Sequence, residues 1–488
     1  MNFSAIALAL CLAAAPLAQA QAQIRSYDQT PAQMQADSQA KGQQQAQAPQ
    51  GSGQDQQGSN MDLGKSVQRA LDANPQMQSA KQQIYGAQSG VYAATAAFAP
   101  TGTASYQGTT STSKFPTTVT QTINGTTVTG ITKRWFDPSF FATLDLNVSQ
   151  PLFTGFRLLS SYQKSKLAKD QADALYRRTE LTLVRSVQTA FLTLLKARSD
   201  VKSNKDAVAR LASQLKVTRA FYDVGLRPRL DVLQAESDLA SAEQALLAAQ
   251  NSVDIQLAQL NSLLNIPLDQ GVDYLGELSQ IPFKMTLQQA LDESYKERPD
   301  IAIAVKSVEM AEKDATIALS PALPQVSADY DYIRQGDTWG LRENLSTTSS
   351  TAYFERHQFQ LTFTWKAWDW GNTYFTYRQA GENVKKLQAD LAKLRLDVGA
   401  EVKTQFLNIQ DAAKRIAVAK AGLAAANEGY RMAVARYQAQ VGTNTDVLDA
   451  QARVSRAEFQ LTQALTDYQI AISNLYYSIG RKNLKLDG

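Results

Sequence analysis

The chain has 488 residues, with 49 Lys and Arg against 45 Asp and Glu for a formal net charge of +4, and only one histidine and one cysteine. A charge this small for the length, spread along the chain, offers no basic face, so no nucleic-acid partner is expected. One cysteine excludes an internal disulfide framework, and the lack of any run of 18 or more apolar residues excludes a bilayer-spanning helix, leaving a β-barrel as the route across a membrane.

Residues 1–20 read as a secretory signal peptide: an apolar stretch from Ala5 to Ala18, then Ala18-Gln19-Ala20 as a small-x-small cleavage site. Cys11 lies inside it. A lipoprotein reading of Leu8-Ala9-Leu10-Cys11 is the alternative, weakened by bulky Leu10 where a small residue is wanted. Cleavage after Ala20 leaves no thiol in the mature chain. Residues 21–60 are rich in Gln, Ala, Ser and Gly with few large apolar groups, and read as a disordered leader.

From there one pattern occurs twice. Leu63 to Pro75 returns as Leu287 to Pro299, an offset of 224 that holds through Ile84/Val308, Ala87/Ala311, Pro100/Pro324 and Tyr106/Tyr330. Beyond the next loop the offset is 215, pairing Leu146/Leu361, Tyr162/Tyr377, Phe191/Phe406, Tyr222/Tyr437, Asp231/Asp446 and Leu260/Leu475. Copies of this length, roughly 200 residues, are too long for a solenoid unit and mark a duplicated half-molecule. The halves are 61–267 and 285–480, joined by a Gly- and Pro-containing linker at 268–284 and followed by a tail at 481–488.

In chain order, Leu63–Ala97 is amphipathic and is kinked or divided at Pro75. A weakly alternating strand follows at Thr101–Gln107, then a Thr-, Ser- and Gly-rich loop over about Thr109–Phe140, then an alternating strand at Phe141–Ser149. A very long helix runs from Leu158 to Tyr222, built of good helix formers with no proline, and a second helix returns over Asp231–Leu264. Apolar positions recur at threes and fours, and alanines line a second face. A closed ring of helices needs two contact faces, a two-stranded coil only one.

The second half repeats this order: Leu287–Leu319 broken at Pro299, strands at Gln325–Tyr332 and Gln358–Trp365 around a loop at Gln335–Arg356, then helices at Tyr374–Tyr437 and Asp446–Ile479. The strands alternate Asp, Asn, Gln, Ser and Thr with apolar and aromatic residues. A soluble half-buried sheet and a membrane barrel both give that alternation; the signal peptide and the polar loops favour the barrel. Four strands cannot close a pore, which takes about eight, so the chain must oligomerise, and a trimer supplies twelve.

Three sets of motifs now carry a family resemblance: the paired openers ending in Asn74-Pro75 and Arg298-Pro299; Gln150-Pro151-Leu152-Phe153-Thr154-Gly155 with its echo Trp368-Asp369-Trp370-Gly371; and the turns Tyr222-Asp223-Val224-Gly225-Leu226 before Asp231-Val232-Leu233, and Tyr437 before Asp446-Val447-Leu448-Asp449-Ala450. In their order and duplication, over about 62–480, the chain resembles the TolC-like outer-membrane efflux and secretion family. The resemblance implies an α+β membrane protein: a homotrimer whose four strands per protomer complete a 12-stranded outer-membrane barrel, continued by a long periplasmic α-helical barrel. It implies a passive exit duct of an efflux pump or type I secretion system, embedded in outer-membrane lipid. Its partners would be a periplasmic adaptor (membrane fusion protein) and an inner-membrane transporter.

The resemblance also assigns residues. Asp446 and Asp449 match the family's constriction carboxylates; an i,i+3 pair lies on one helix face, and a threefold axis would make each a ring of three acids favouring cations and raising one another's pKa. Read from the residues alone, both sit in the first turn of a helix, where capping and the helix dipole favour Asp. Asp231 and Tyr437 match positions that hold the tip closed, with Tyr437 a candidate donor to Asp231 within the protomer or across to the next one, and packing at a helix end, as for its twin Tyr222, the equal alternative. The family pattern expects a basic residue where Gly442 stands; Arg227 and Arg229, in the opposite turn, are the candidates to supply it. Val224-Gly225-Leu226 resembles the surface that receives the adaptor, although a glycine-ended helix with an apolar cap contact has the same sequence.

Trp365, Trp368 and Trp370 fit an interfacial aromatic girdle on the periplasmic side. His357 has no partner for a metal or catalytic role. No phosphate loop, His-Glu-x-x-His or cysteine pair occurs, so no enzyme activity, cofactor or metal is expected. The rival readings are a periplasmic coiled-coil adaptor or scaffold, which would use one hairpin rather than two, and an envelope hydrolase, for which no nucleophile–base cluster is present.

Overall fold

A computed structural model of the chain describes residues 61–111, 114–135, 139–268, 270–336, 339–341 and 354–486. The expected signal peptide, the Gln-rich leader and Cys11 lie outside the described residues. No described helix is long and apolar enough to cross a membrane.

The first half opens with α1 (Leu63–Ala73) and α2 (Pro75–Ala96). The division falls at Asn74, whose extended backbone is what a following proline imposes, and whose side chain caps α2 by accepting from the Gln76 N–H. After β1 (Thr101–Ser111) comes a hairpin of β2 (Lys114–Ile123) and β3 (Thr126–Trp135), then β4 (Ser139–Thr154). The hairpin corrects the loop expected between Thr109 and Phe140. Its turn is Asn124-Gly125, with both φ positive at 51° and 81°, the geometry a two-residue hairpin needs and the pair that supplies it.

The long helices follow as α3 (Arg157–Asp223) and α4 (Arg229–Leu263). The described residues of the second half repeat the order as α5 (Leu287–Glu297), α6 (Pro299–Leu319), β5 (Gln325–Gly336), β6 (Phe354–Thr364), α7 (Asn372–Gln438) and α8 (Asn444–Ile479). Helices α3 and α7 have 67 residues each, on the order of 100 Å at 1.5 Å per residue. The passage from strand to long helix uses two left-handed residues in both halves, Gly155-Phe156 and Trp370-Gly371. At Gly155 glycine is required twice over: φ is +60°, and a Cβ would sit 2.5 Å from the Ser320 carbonyl oxygen.

The four main strands form one antiparallel sheet in the order β1-β4-β5-β6. A bulge at Pro151/Phe153 accommodates the proline that a regular ladder would not. Paired side chains share a face, and the two faces differ in kind. One carries Tyr106, Leu146, Val148, Tyr330, Phe359, Leu361 and Phe363, all exposed. The other is polar and cross-linked: Asn147 Nδ2 donates to Asp331 at 2.6 Å, and Asp329 accepts from Ser149, Ser327 and Thr362 at 2.5, 2.8 and 3.3 Å. Trp365, Trp368 and Trp370 stay exposed beyond the end of β6. His357 lies on the apolar face, hydrogen-bonded through Nδ1 to the Tyr330 hydroxyl at 2.9 Å.

Each half has its own apolar core, one around Phe191, Leu194, Leu260 and Tyr274, the other around Val402, Ile409, Ile416, Ile472 and Leu475. Leu192 of α3 sits in the second of these and so ties the halves together. The residue before each proline anchors the return helix of its own half. Asn74 donates to the Leu263 carbonyl at 2.8 Å, and Arg298, its counterpart, to the Ser478 carbonyl at 3.1 Å. Arg298 also holds Glu401 at 2.7 Å and Asp300 at 3.2 Å.

Candidate functional site

The candidate residues sit at the two turns, 224–228 between α3 and α4 and 439–443 between α7 and α8. The first turn closes by N–H donation from Gly225 to the Tyr222 carbonyl and from Leu226 to the Phe221 carbonyl, both 2.8 Å, with Gly225 at φ +76°. This presents Val224 and Leu226 to solvent, 67% and 52% exposed, so neither is spent on an apolar cap contact.

Arg227 crosses from this turn to the other. Its Nη2 donates to the Gly442 carbonyl at 2.6 Å, and its guanidinium lies 5.1 Å from the Tyr437 ring centre. The guanidinium therefore reaches the place where the second turn lacks a basic residue, and its partner there is a backbone carbonyl rather than the Asp231 carboxylate. Arg229, two residues on, is exposed.

Tyr437 is fully buried against Phe221, ring centres 5.6 Å apart, and its hydroxyl donates to Thr218 at 3.2 Å. Within the protomer this corrects the expected donation to Asp231. Asp231 enters through its backbone: its carbonyl accepts from Asn444 Nδ2 at 3.2 Å. Asn444 is the hub. Its Oδ1 accepts from Gln214 at 2.9 Å and from Thr218 at 3.3 Å. Gln214, Thr218, Tyr437 and Asn444 are all buried, so α3, α4, α7 and α8 are joined by one solvent-shielded hydrogen-bond network at the turns.

Sequence reasoning missed Gln214, Thr218 and Asn444. The i,i+4 spacing of Gln214 and Thr218 marks a shared helix face, but nothing within one helix says that an asparagine 226 residues away from Thr218 faces it.

Asp446 and Asp449 are both exposed on α8, Asp446 in its first turn and Asp449 in the next, because the helix starts at Asn444 rather than at Asp446 as expected. Asp446 closes a capping box: its carboxylate accepts from the Thr443 N–H at 2.9 Å while Thr443 Oγ1 accepts from the Asp446 N–H at 3.1 Å. That bond from the Thr443 backbone, with a smaller contribution from the Thr443 side chain, holds the Asp446 carboxyl below the usual carboxylate range. The direction is opposite to the one expected from a like-charged neighbour. The like-charge effect falls on Asp238 of α4 instead, raised first by burial and then by the charge of Asp449. Asp446 and Asp449 flank an open cleft of about 480 Å³ whose opposite wall is Gly422, Gly429 and Ala433 of α7.

Comparison with known proteins accords with this geometry. The family "Outer membrane efflux protein" matches residues 66–265 and 290–481, one segment in each half. The chain is 24% identical over 344 residues to the outer membrane protein TolC of Vibrio cholerae, covering 69% of this chain and 76% of that protein. It is 24% identical to the alkaline protease secretion protein AprF of Pseudomonas aeruginosa, covering 70% of each. Among solved structures, the outer-membrane channel OprN aligns with a TM-score of 0.70 at 19% identity, covering 86% of this chain and 90% of that one. CusC aligns equally well, with a TM-score of 0.70 at 17% identity, covering 87% and 93%. That family is made up of channel proteins. The chain belongs to the outer membrane efflux protein family, and it is an outer-membrane channel component of an efflux or type I secretion system that extends into the periplasm.

Proposed function

We propose that the working form is a homotrimer in which four strands per copy close a twelve-stranded barrel and the long helices continue it as a periplasmic tunnel, gated at the hairpin turns. Residues 1–20 direct export. The reading is carried by what the protomer leaves open. Leu181 and Leu192 of α3 are 5% and 2% exposed, while Leu396 and Leu407, their counterparts on α7, are 76% and 51% exposed. Leu192 is covered by the core of the following half, and the same residue at the same repeat position on α7 is bare. A following copy covers it, as the symmetry of a ring requires. The two edge strands, β1 and β6, are the matching open ends of the sheet.

In this assembly Asp446 and Asp449 ring the throat and favour cations. Asp446 gives one face of its carboxylate to capping α8, which leaves Asp449 the freer charge. Arg227, Tyr437 and the backbone of Asp231 hold the turns, with Arg229 beside them. Val224, Gly225 and Leu226 are the contact for a periplasmic adaptor, which couples the duct to an inner-membrane transporter. The duct itself is passive.

The test is single-channel conductance in planar bilayers with D446A/D449A alongside. Small cation-selective steps, larger and less sensitive to multivalent cations in the double variant, support the gate. A trimer whose steps ignore both substitutions leaves the two aspartates as helix-starting residues only, and well-folded protein without channel activity overturns the reading.

A further inference from the structure

In the membrane barrel proposed above, the outward face of the sheet is built differently at its two ends. At the periplasmic end it stops at Trp365, Trp368 and Trp370, with one cation, Lys366, and one acid, Asp369, between them. From there β6 carries Phe363, Leu361 and Phe359 outward, all exposed. Eight positions (363 − 355) separate Phe363 from Glu355 on the same strand. That is about 27 Å of strand and about 20 Å of height at a barrel tilt, close to an apolar band of about 25 Å. The rows that follow therefore meet the head groups of the outer leaflet.

Those rows change character. The register places Arg334 between Leu144 and Glu355, and His357 opposite Tyr332, all on the outward face. The acid of this group, Glu355, accepts from the Tyr332 hydroxyl at 2.7 Å. The His357 ring lies 4.9 Å from the Tyr332 ring. Beyond them an aromatic shelf is fixed on the same face. Trp339, from the segment joining β5 and β6, reaches back across β4 to β1. Its carbonyl accepts from the Tyr106 hydroxyl, its ring centre lies 4.9 Å from that of Phe140, and it fills the space that a Cβ on Gly108 would need. Held in this way, Trp339 is still 64% exposed, a platform rather than part of a core.

Cations come next. The β2–β3 hairpin continues from β1 and leads into β4, and its first paired positions are Lys114 with Trp135, Phe115 with Arg134 and Pro116 with Lys133. These three cations are the only charged residues from Thr101 to Phe136, and the first acid after them is Asp137.

We infer that the loop end of the outward face binds the head group of a phosphorylated glycolipid of the outer leaflet. The order of chemistry along the face is the order within such a molecule. Its acyl chains lie on Phe359, Leu361 and Phe363, its sugar rings on the Trp339 shelf, and its phosphates at the level of Lys114, Lys133 and Arg134. An aromatic face takes the C–H side of a sugar ring, and ammonium and guanidinium groups take phosphate. A simple anionic phospholipid has the charge but no ring for the shelf.

The test uses the full-length purified protein with three probes: lipid A bearing both phosphates, the same glycolipid without phosphate, and phosphatidylglycerol. Native mass spectrometry counts the molecules retained. Lipid A is expected to be retained above both others. K114Q/K133Q/R134Q is expected to lower that retention roughly tenfold or more, since each surface cation adds its own attraction. W339A is expected to bring lipid A down to the level of phosphatidylglycerol. Bilayer conductance should be unchanged in both variants. Lipid A retained no better than phosphatidylglycerol, or retained unchanged by either conducting variant, overturns the site and leaves the duct intact. Well-folded parent protein that conducts nothing overturns the barrel on which the site rests.

Discussion

Arg227 donates to the carbonyl of Gly442, and the two positions are each other's counterpart in the internal repeat. One half supplies a guanidinium and the other a bare backbone, so the bond runs in one direction only. Replacing Arg227 with Ala removes the bridge between the two turns and is expected to raise channel conductance or the fraction of time spent open. Arg227→Lys retains a donor and should fall between. Conductance identical in all three proteins would show that this bond does not hold the tip.

Asn444→Ala leaves Gln214, Thr218 and the Asp231 carbonyl without their common partner. A buried group stranded in this way costs about 1–3 kcal/mol. The expected result is a lowered unfolding temperature on first heating. The exposed change Asn427→Ala, on the outer surface of α7, should shift it far less.

Tyr437 separates packing from hydrogen bonding. Tyr437→Phe keeps the contact with Phe221 and loses one bond to Thr218, a loss of about 1 kcal/mol. Tyr437→Ala also empties a fully buried site and should cost about 3–5 kcal/mol, the range for deleting a large aromatic ring. Equal destabilisation by the two would assign the whole role of the residue to its hydroxyl. Denaturant melts of the two variants distinguish these cases.

Asp238 contributes a pH dependence opposite in sign to that of Asp446. Burial, then the charge of Asp449, raise its carboxyl above the ordinary value. A raised folded-state pKa means that the folded form binds this proton more tightly than the unfolded form. The ionised carboxylate therefore destabilises the fold above the folded-state pKa. The penalty fades as pH falls through that value and is gone below the unfolded one. Asp238→Asn should be more stable than the parent at neutral pH, with the gap closing in acid. Asp449→Asn should recover part of the same gain. A gap that persists unchanged at low pH would trace the gain to packing rather than to charge.

Gly155→Ala should prevent correct assembly at the strand-to-helix passage, because the added methyl would meet the Ser320 carbonyl at 2.5 Å on a backbone with φ +60°. Gly381→Ala, in the interior of α7 with nothing within 4 Å of its Cβ position, is expected to be tolerated. The yield of folded protein in the outer-membrane fraction compares the two.

The helices and main strands were legible because their signals are local and said twice. Pro75 and Pro299 break the opening helices at the same repeat position, and the 67-residue helices contain no proline. The β2–β3 hairpin was missed, although Asn124-Gly125 announces it, because its Thr-rich strands alternate threonine with few apolar residues and so resemble a loop. At the tip, the exposed Val224-Gly225-Leu226 turn followed from glycine, and the place of Asp446 in a first helical turn was legible, whereas its capping box with Thr443 was not, because the helix was read as starting two residues too late. The polar hub was not legible. Asn444 and Gln214 have ordinary identities on their own helices, and only the fold places them 2.9 Å apart. Tyr437 was marked as important, but within the protomer its hydroxyl goes to Thr218 rather than to Asp231, since the two stand on neighbouring helices and sequence gives no means of choosing between them.

Strands β1 and β6 bear on how the protein reaches its destination. A newly exported copy carries two strand margins with unanswered backbone amides and carbonyls, beside an array of bare aromatic and aliphatic side chains. Such margins accept any extended segment, right or wrong. In the proposed trimer, the hazardous interval is therefore the transit between export and assembly. A holding chaperone that shields those margins would raise yield without altering the finished channel, and slow synthesis of one copy at a time would favour loss to misassembly and proteolysis.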